Sequence, residues 1–292
     1  MDKAIQWYPG HMTRAVRRIK DELKLVDVVI ELLDARIPLS SKNPDIDGLA
    51  QNKQRICILN KSDLACERAT AQWKARYEAL GFAVVIANAH KAQGLDNIRR
   101  LAIELMSDKI QRQKARGRLV VPIRGMVCGI PNVGKSTMIN RFAKNSKLKV
   151  EDRPGVTRDK QWIKIANDFE LLDTPGILWP RFDSPDIGLN LAMTGAINDN
   201  ILEREELAKA VIKKYIAYNP EGLRARFNID PGGDIDDIFI DIARGRGFIL
   251  SQGRPHIAKT AAIILDEFRA GKFGRITLDT CSNNNQNHND GG

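Results

Sequence analysis

The nine residues from Gly129 to Thr137, GIPNVGKST, follow directly on the apolar run RGMVC and open a stretch of helical spacing that begins near Ser136. A glycine-rich turn between a buried strand and a helix is the setting of a phosphate-binding loop. It commits the surrounding chain to an α/β sheet that carries its ligand at the strand ends. The expected phosphate contacts are Gly129, Pro131, Asn132, Val133, Gly134, Lys135, Ser136 and Thr137. The glycines let backbone N–H groups point inward around a β-phosphate, Lys135 reaches the β- and γ-oxygens, and Ser136 offers a hydroxyl to Mg²⁺. The loop by itself does not choose between ATP and GTP.

Four apolar runs fit strands of such a sheet: VDVVIELL (Val26 to Leu33), RICILN (Arg55 to Asn60), FAVVIAN (Phe82 to Asn88) and RGMVCGI (Arg124 to Ile130). Amphipathic stretches of helical length, such as Glu67 to Leu80, separate them, so the reading is a mostly parallel sheet with helices on both faces. After the phosphate loop the pattern changes. Gln161 to Ala166 and Phe169 to Leu172 are short runs joined by Asn167-Asp168, which predicts an antiparallel hairpin at an edge. KIQRQKARGR, from Lys109 to Arg118, has five basic residues and no acidic one and is expected to cross the surface as a connector. Helical spacing takes over beyond about Asp186, at Leu207, Val211, Ile212 and Tyr215 and again at Ile257, Ala261, Ile264, Leu265 and Phe268. The expected division is a first domain over 1–180, with segment 1–24 packing on it, a small all-helical domain over 184–278, and a disordered polar tail over 279–292.

The base that accompanies the phosphates is read from Asn60-Lys61-Ser62-Asp63, which sits at the carboxyl end of RICIL. The Asp63 carboxylate can accept from both the ring N–H and the exocyclic amine of guanine, a pair of donors that adenine cannot present together. Left unpaired by adenine, it would be a desolvated charge, so discrimination is large. Asn60 and the Lys61 stem brace the base, and Asn88 and Ala89, at the next strand end, offer backbone N–H groups to the guanine carbonyl oxygen.

Two further loops complete the expected site. Asp173-Thr174-Pro175-Gly176 places a carboxylate at a strand tip, where it can hold Mg²⁺ through water, and Pro175-Gly176 can close on a γ-phosphate. In RPGVTR, Thr157 can ligate the metal only while the third phosphate is present. The position after Gly176, where many GTPases place a water-orienting Gln, is Ile177. Intrinsic hydrolysis is therefore expected to be slow, with the water oriented by another part of the chain, a partner or a metal ion.

The chain carries 46 Lys+Arg against 36 Asp+Glu, a formal charge of +10, which favours polyanionic partners. Cys57, Cys66, Cys128 and Cys281 lack the close pairing of a zinc site or disulfide framework. No segment reaches the roughly 18 uninterrupted apolar residues of a membrane span, and the amino terminus has no apolar core of signal-peptide length. The expectation is a cytoplasmic protein without a membrane partner, and the absence of a heptad pattern makes it a monomer.

The base reader and its companion loop precede the phosphate loop, and the switches follow it. This permuted order, with WYPGHM near the amino terminus, DARIP at Asp34 to Pro38 and the closing HIAKTAAIILDEFRAGKFGRITLD, resembles the bacterial ribosome biogenesis GTPase A family, the YlqF-like circularly permuted P-loop GTPases, over residues 5 to 280. The resemblance implies a GTPase domain followed by a small helical RNA-contacting domain, with GTP as substrate, GDP as product and Mg²⁺ as cofactor. It also implies action late in assembly of the large ribosomal subunit, which would stimulate hydrolysis. It assigns His11 as the substitute for the missing Gln, catalytic together with Lys135, and likens Asn132 to the Asn of GTPases that place K⁺ in the arginine-finger position. Tyr8 stands where the family has Phe, and Asn88 where Ser is common.

The leading reading is a GTPase whose GTP-bound form docks on ribosomal RNA through basic helical surfaces, with Arg14, Arg17, Arg18, Lys20, Lys259, Arg269, Lys272 and Arg275 as candidate contacts. The alternative is an RNA-binding assembly scaffold with structural nucleotide and vestigial hydrolysis, a reading that rests on Ile177. A role in tRNA modification or membrane traffic finds no motif or lipid anchor to support it.

Overall fold

The computed structural model describes residues 11–145, 162–179, 182–197 and 203–281; the side chains of 11–16 and 145 lie outside that description. Six strands form one sheet: β1 (Val28–Asp34), β2 (Gln54–Asn60), β3 (Ala83–Ile86), β4 (Ile123–Gly129), β5 (Trp162–Ala166) and β6 (Phe169–Asp173), in the order β3-β2-β1-β4-β6-β5. All neighbours pair in parallel except β5 with β6, the hairpin that turns at Asn167-Asp168. The chain lays β1, β2 and β3 outward on one side and then returns to place β4 on the other side of β1. Such a reversal opens a crevice at the carboxyl ends of β1 and β4, where open α/β sheets bind ligands.

Both faces are covered, as near-continuous apolar strands require. Along β1, Val28, Ile30 and Leu32 face one way, and Val29 and Leu33 the other. The second face packs against α1 (His11–Leu23) through Ile19 and Leu23, and against α3 (Glu67–Ala79) through Trp73 and Tyr77. The first face packs against α4 (Leu95–Leu105) and α6 (Lys135–Asn145). Between these come α2 (Pro44–Leu49), capped by the Asn43 side chain, and α5 (Ser107–Ala115). Cys57 and Cys128 are buried in β2 and β4.

The segment expected to cross the surface as a connector is instead helical as far as Ala115. Lys, Gln, Arg and Ala lose little rotamer freedom in a helix, so charge does not disfavour one. Two anchors then fix it, with Ile110 half-buried against the core and Lys109 paired with Asp27 ahead of β1.

From α7 (Pro185–Met193) onward the described structure is helical: α8 (Arg204–Tyr218), α9 (Pro220–Phe227), α10 (Ile235–Gly245) and α11 (Ile257–Arg269). Ser184 and Asn219 cap α7 and α9, each followed by Pro at the first helical position, where its missing N–H costs nothing. Tyr215 of α8 packs edge-on to Phe268 of α11 and to Phe273 beyond it. The apolar core is continuous from the sheet through Leu178, Trp179 and Leu191 into these helices.

After α11 the chain runs back along the sheet's carboxyl end. Ile276 donates its N–H to the Leu64 carbonyl, and Leu278 donates to the Arg36 carbonyl. Asp279, expected at the start of the polar tail, is 9% exposed. Its carboxylate accepts from Ser40 N–H and Oγ and from Asn190 Nδ2, because here a polar side chain meets buried donors rather than water. Residues 282–292 lie outside the described residues.

Candidate functional site

Four loops meet at the carboxyl end of the sheet. The loop between β4 and α6 carries Lys135, which is 7% exposed and donates from Nζ to the carbonyls of Gly129 at 3.1 Å and Ile130 at 2.8 Å. Burial drives its ammonium down to about 8, against the opposing pull of Cys128 and Asp173. Asn132 sits in the left-handed region, with φ 57, and its Nδ2 donates to the Gly195 carbonyl at 2.7 Å.

Asn60, at the end of β2, joins three loops. Its Nδ2 donates to the Val133 carbonyl at 2.8 Å, and its Oδ1 accepts from Ala89 N–H at 3.0 Å. Gly134, with φ +107, makes room for it: a Cβ there would come within 2.4 Å of Asn60 Nδ2. Next in sequence, Lys61 adopts φ 58 and points Nζ at Asp34 of β1, 3.0 Å away. Arg36 grips the same carboxylate with Nε at 2.9 Å and Nη2 at 2.7 Å. Burial alone would raise the Asp34 carboxyl, but the charges of Arg36 and Lys61 outweigh it and hold it well below the usual carboxylate range. Ser62 N–H bonds to the Ala87 carbonyl, which fixes the loop's return.

The backbone N–H groups expected to meet the guanine carbonyl oxygen are all engaged within the protein. Ala87 donates to Leu59, Asn88 to Gln93 and Ala89 to the Asn60 side chain. The Asn88 side chain closes its own loop, with Oδ1 accepting from Lys91 N–H.

At the end of β6, Asp173 has a buried Oδ1 that meets no hydrogen-bond partner among the described residues. Burial raises its carboxyl, partly offset by Lys135. Gly176 lies against the phosphate loop, where a Cβ would be 2.9 Å from Lys135 Nζ and equally close to Pro131. Pro175 is exposed. Ile177 is 3% exposed and packs with Ile19, Leu23, Met126 and Leu172, so the residue in the Gln position serves the core under α1. Thr157 and its loop lie outside the described residues; His11 begins α1, but its side chain is not among those described.

These loops enclose a cleft of about 390 Å³. Its lining comes from Asn60, Lys61, Asp63 and Leu64 after β2, from Ala89 and His90 after β3, and from Asn132, Gly134, Lys135, Ser136 and Thr137 at the turn from β4 into α6. The Asp63 carboxylate thus shares one opening with the Lys135 ammonium and the Ser136 hydroxyl. Arg269, expected on an RNA-facing surface, also lines the cleft, because its Nε and Nη2 donate inward to the Met193 and Ala192 carbonyls. Asp34 and Arg36, in the DARIP stretch, support the site although the sequence assigned them no role in it. Their signal was an acid and a base placed next to a turn at the end of an apolar strand, a position where charges need partners.

The family model described as "50S ribosome-binding GTPase" matches residues 124–219. The Bacillus cereus protein named ribosome biogenesis GTPase A is 44% identical over 277 residues, covering 94% of each chain. Among solved structures, the GDP-bound YlqF structure superposes with a TM-score of 0.64 at 27% identity, covering 90% of this chain and 98% of that one. The GNP-bound YlqF of Thermotoga maritima gives the same TM-score at 26% identity, over 92% and 99%. With the permuted motif order closed into one nucleotide-sized cleft and such identity sustained along the length, this chain belongs to the ribosome biogenesis GTPase A family and is a GTP-hydrolysing enzyme.

Proposed function

We propose that this chain is a cytoplasmic, monomeric assembly factor in late maturation of the large (50S) ribosomal subunit. Its GTP-bound form docks on ribosomal RNA and ribosomal proteins, and the particle stimulates hydrolysis. The observation that carries this reading is that Asp63 lines the same cleft as Lys135 and Ser136. In it Asp63 reads guanine, the Lys61 stem and Asn60 hold the base-reading loop, and residues 129–137 wrap the phosphates.

The chain's residues suit Mg²⁺. Asp173 Oδ1, buried and without a partner among the described residues, suits a carboxylate that meets a hydrated cation, and Ser136, next to Lys135 in sequence, supplies a hydroxyl. Bound there with Thr157, the ion would neutralise charge developing on the phosphates. Pro175 and Gly176 close on the γ-phosphate, Ala89 lines the cleft beside the base with Asn88 behind it in sequence, and K⁺ beside Asn132 is the second cation of this reading.

Since Ile177 is committed to the core, the water must be oriented from elsewhere. The helix that starts at His11 is anchored on Ile177 through Ile19 and Leu23, which supports His11 as that group. Arg17, Lys20, Lys259 and Lys272 are exposed and suit phosphate contacts on RNA that weaken steeply with salt. The proposed division is a permuted GTPase domain over 1–180 and a helical RNA-contacting domain over 184–278.

The test is GTP turnover by wild type and His11→Ala with Mg²⁺ and K⁺, with and without large ribosomal subunits. Stimulation by the particle that is lost in the variant, while nucleotide and particle still bind, is the expected result. Tight GTP binding with no stimulation would favour the scaffold reading, which the burial of Ile177 keeps in play.

A further inference from the structure

We propose that Arg269, on the last turn of α11, is a nucleotide-binding residue whose guanidinium covers the nucleoside end of the bound guanine nucleotide, over the seam between the base-reading and phosphate loops. The inference rests on the reading of the cleft as the guanine-nucleotide site.

Three contacts locate the side chain. Nε donates to the Met193 carbonyl at 3.1 Å and Nη2 to the Ala192 carbonyl at 2.9 Å, so the guanidinium is held by the carboxyl end of α7. A Cβ on Gly195 would come within 3.2 Å of its Nε, and the carbonyl of that same Gly195 accepts from Asn132 of the phosphate loop. Two residues beyond Arg269, Gly271 turns with φ +72 against Leu64, beside Asp63. The guanidinium is therefore fixed between neighbours of the phosphate loop and of the loop after β2, and it is part of the cleft wall.

Charge and shape then indicate its ligand. Lys61, Lys135 and Arg269 line the cleft, and the acid among its lining residues is Asp63. A long side chain ordered beside other cations gains from the arrangement when an anion or a π-face fills the space. Two of its N–H groups are engaged by protein carbonyls, and a guanidinium held by its edge can offer its flat face for stacking on a purine. A guanine nucleotide satisfies both demands, with the base under the plane and phosphates within reach of the charge. Since the carbonyls that hold Arg269 end the helix following the Asp173–Gly176 loop, occupancy of the cleft would be felt in α7 and α11 together.

The experiment titrates a ribose-labelled fluorescent GDP into the full chain as wild type, Arg269→Ala, Arg269→Gln and Asp63→Asn, and follows amide exchange of residues 265–271 with and without GDP. Gln can still donate to one of the carbonyls but has neither the charge nor the cationic plane, and it stands in should the Ala variant fail to fold. The proposal expects GDP to bind both Arg269 variants weaker by on the order of tenfold, mainly through faster release, and to protect 265–271 in the wild type. Wild-type affinity in Arg269→Gln with weakened binding in Asp63→Asn would reduce Arg269 to a cap of α7 and leave the site reading intact. Unchanged binding in Asp63→Asn would overturn the site reading, and the proposal with it.

Discussion

Asn60 Nδ2 donates to the Val133 carbonyl across 2.8 Å, so the loop that follows β2 is bonded directly to the loop between β4 and α6. The two come from strands separated in the sheet by β1, and the same side chain also receives the Ala89 N–H. Asn60→Ala removes both bonds and leaves a buried carbonyl and N–H without partners, a loss of about 1–3 kcal/mol for each group. The expected outcome is GDP affinity lower by about tenfold or more, with weaker discrimination between GDP and ADP. Competition titrations check both, and unchanged discrimination would mean that Asn60 does not hold the two loops in register.

Lys61 stands at φ 58 because Asp34 holds its ammonium and Arg36 holds Asp34. Asp34→Ala would strand the guanidinium of Arg36, 2% exposed, as an unpaired buried charge, at a cost of about 3–5 kcal/mol. Asp34→Asn should cost less and keep the fold, while loosening Lys61 and accelerating GDP release. The folded Asp34 carboxyl titrates below the ordinary aspartate value of 3.8, so its contribution is present above that value and lost as pH falls through the folded one. In urea melts, the stability gap between wild type and Asp34→Asn should therefore narrow below pH ~4 and be steady near neutrality.

The sheet and the motif positions were legible because their signals are local. A run such as RICIL names a buried strand, and GIPNVGKST names its own turn and helix. What stayed hidden depends on partners far away in sequence. Arg269 reads as one more surface cation until α7 places the carbonyls of Ala192 and Met193 beside it. Asp279 reads as the start of a polar tail until Ser40, 239 residues earlier, supplies two donors. Ile177 reads as a missing catalytic group, whereas its side chain fills the core beneath α1. Local pattern identifies the strand ends that carry the site; it does not identify the helix that returns to close it.

Lys135 is held down to about 8 by burial. In an unfolded chain it would titrate near 10.5, so between the two values the unfolded state binds more protons and the stability of the nucleotide-free protein rises with pH. Phosphates beside Nζ favour the charged form, so GDP binding should take up a proton above pH ~8, and affinity should fall as pH rises further. Calorimetry in two buffers of different ionisation enthalpy measures this uptake. Equal apparent enthalpies at pH 9 would contradict it.

Asp279 fastens the returning carboxyl-terminal segment. Ser40 donates to it at 2.8 Å and 2.6 Å, Asn190 at 2.9 Å, and its own carbonyl accepts from Trp73 Nε1 at 3.3 Å. Burial raises the carboxyl above its usual value, opposed by the Ser40 hydrogen bonds. A raised folded value means that the charge weakens the fold as pH climbs through it, so the three side-chain bonds only partly offset desolvation at neutral pH. Asp279→Ala nevertheless leaves three buried donors unmatched, and each unmatched donor costs more than the net worth of its bond. The expected loss is about 2–4 kcal/mol in urea unfolding, and Asp279→Asn, which turns an amide N–H₂ toward donors, should lose part of it. Adding Ser40→Ala to Asp279→Ala removes the hydroxyl donor, while the backbone N–H of residue 40 remains, so the double variant should be more stable than the two separate losses predict. Strict additivity would show that Ser40 and Asp279 do not act as one fastening between the end of β1 and the segment that follows α11.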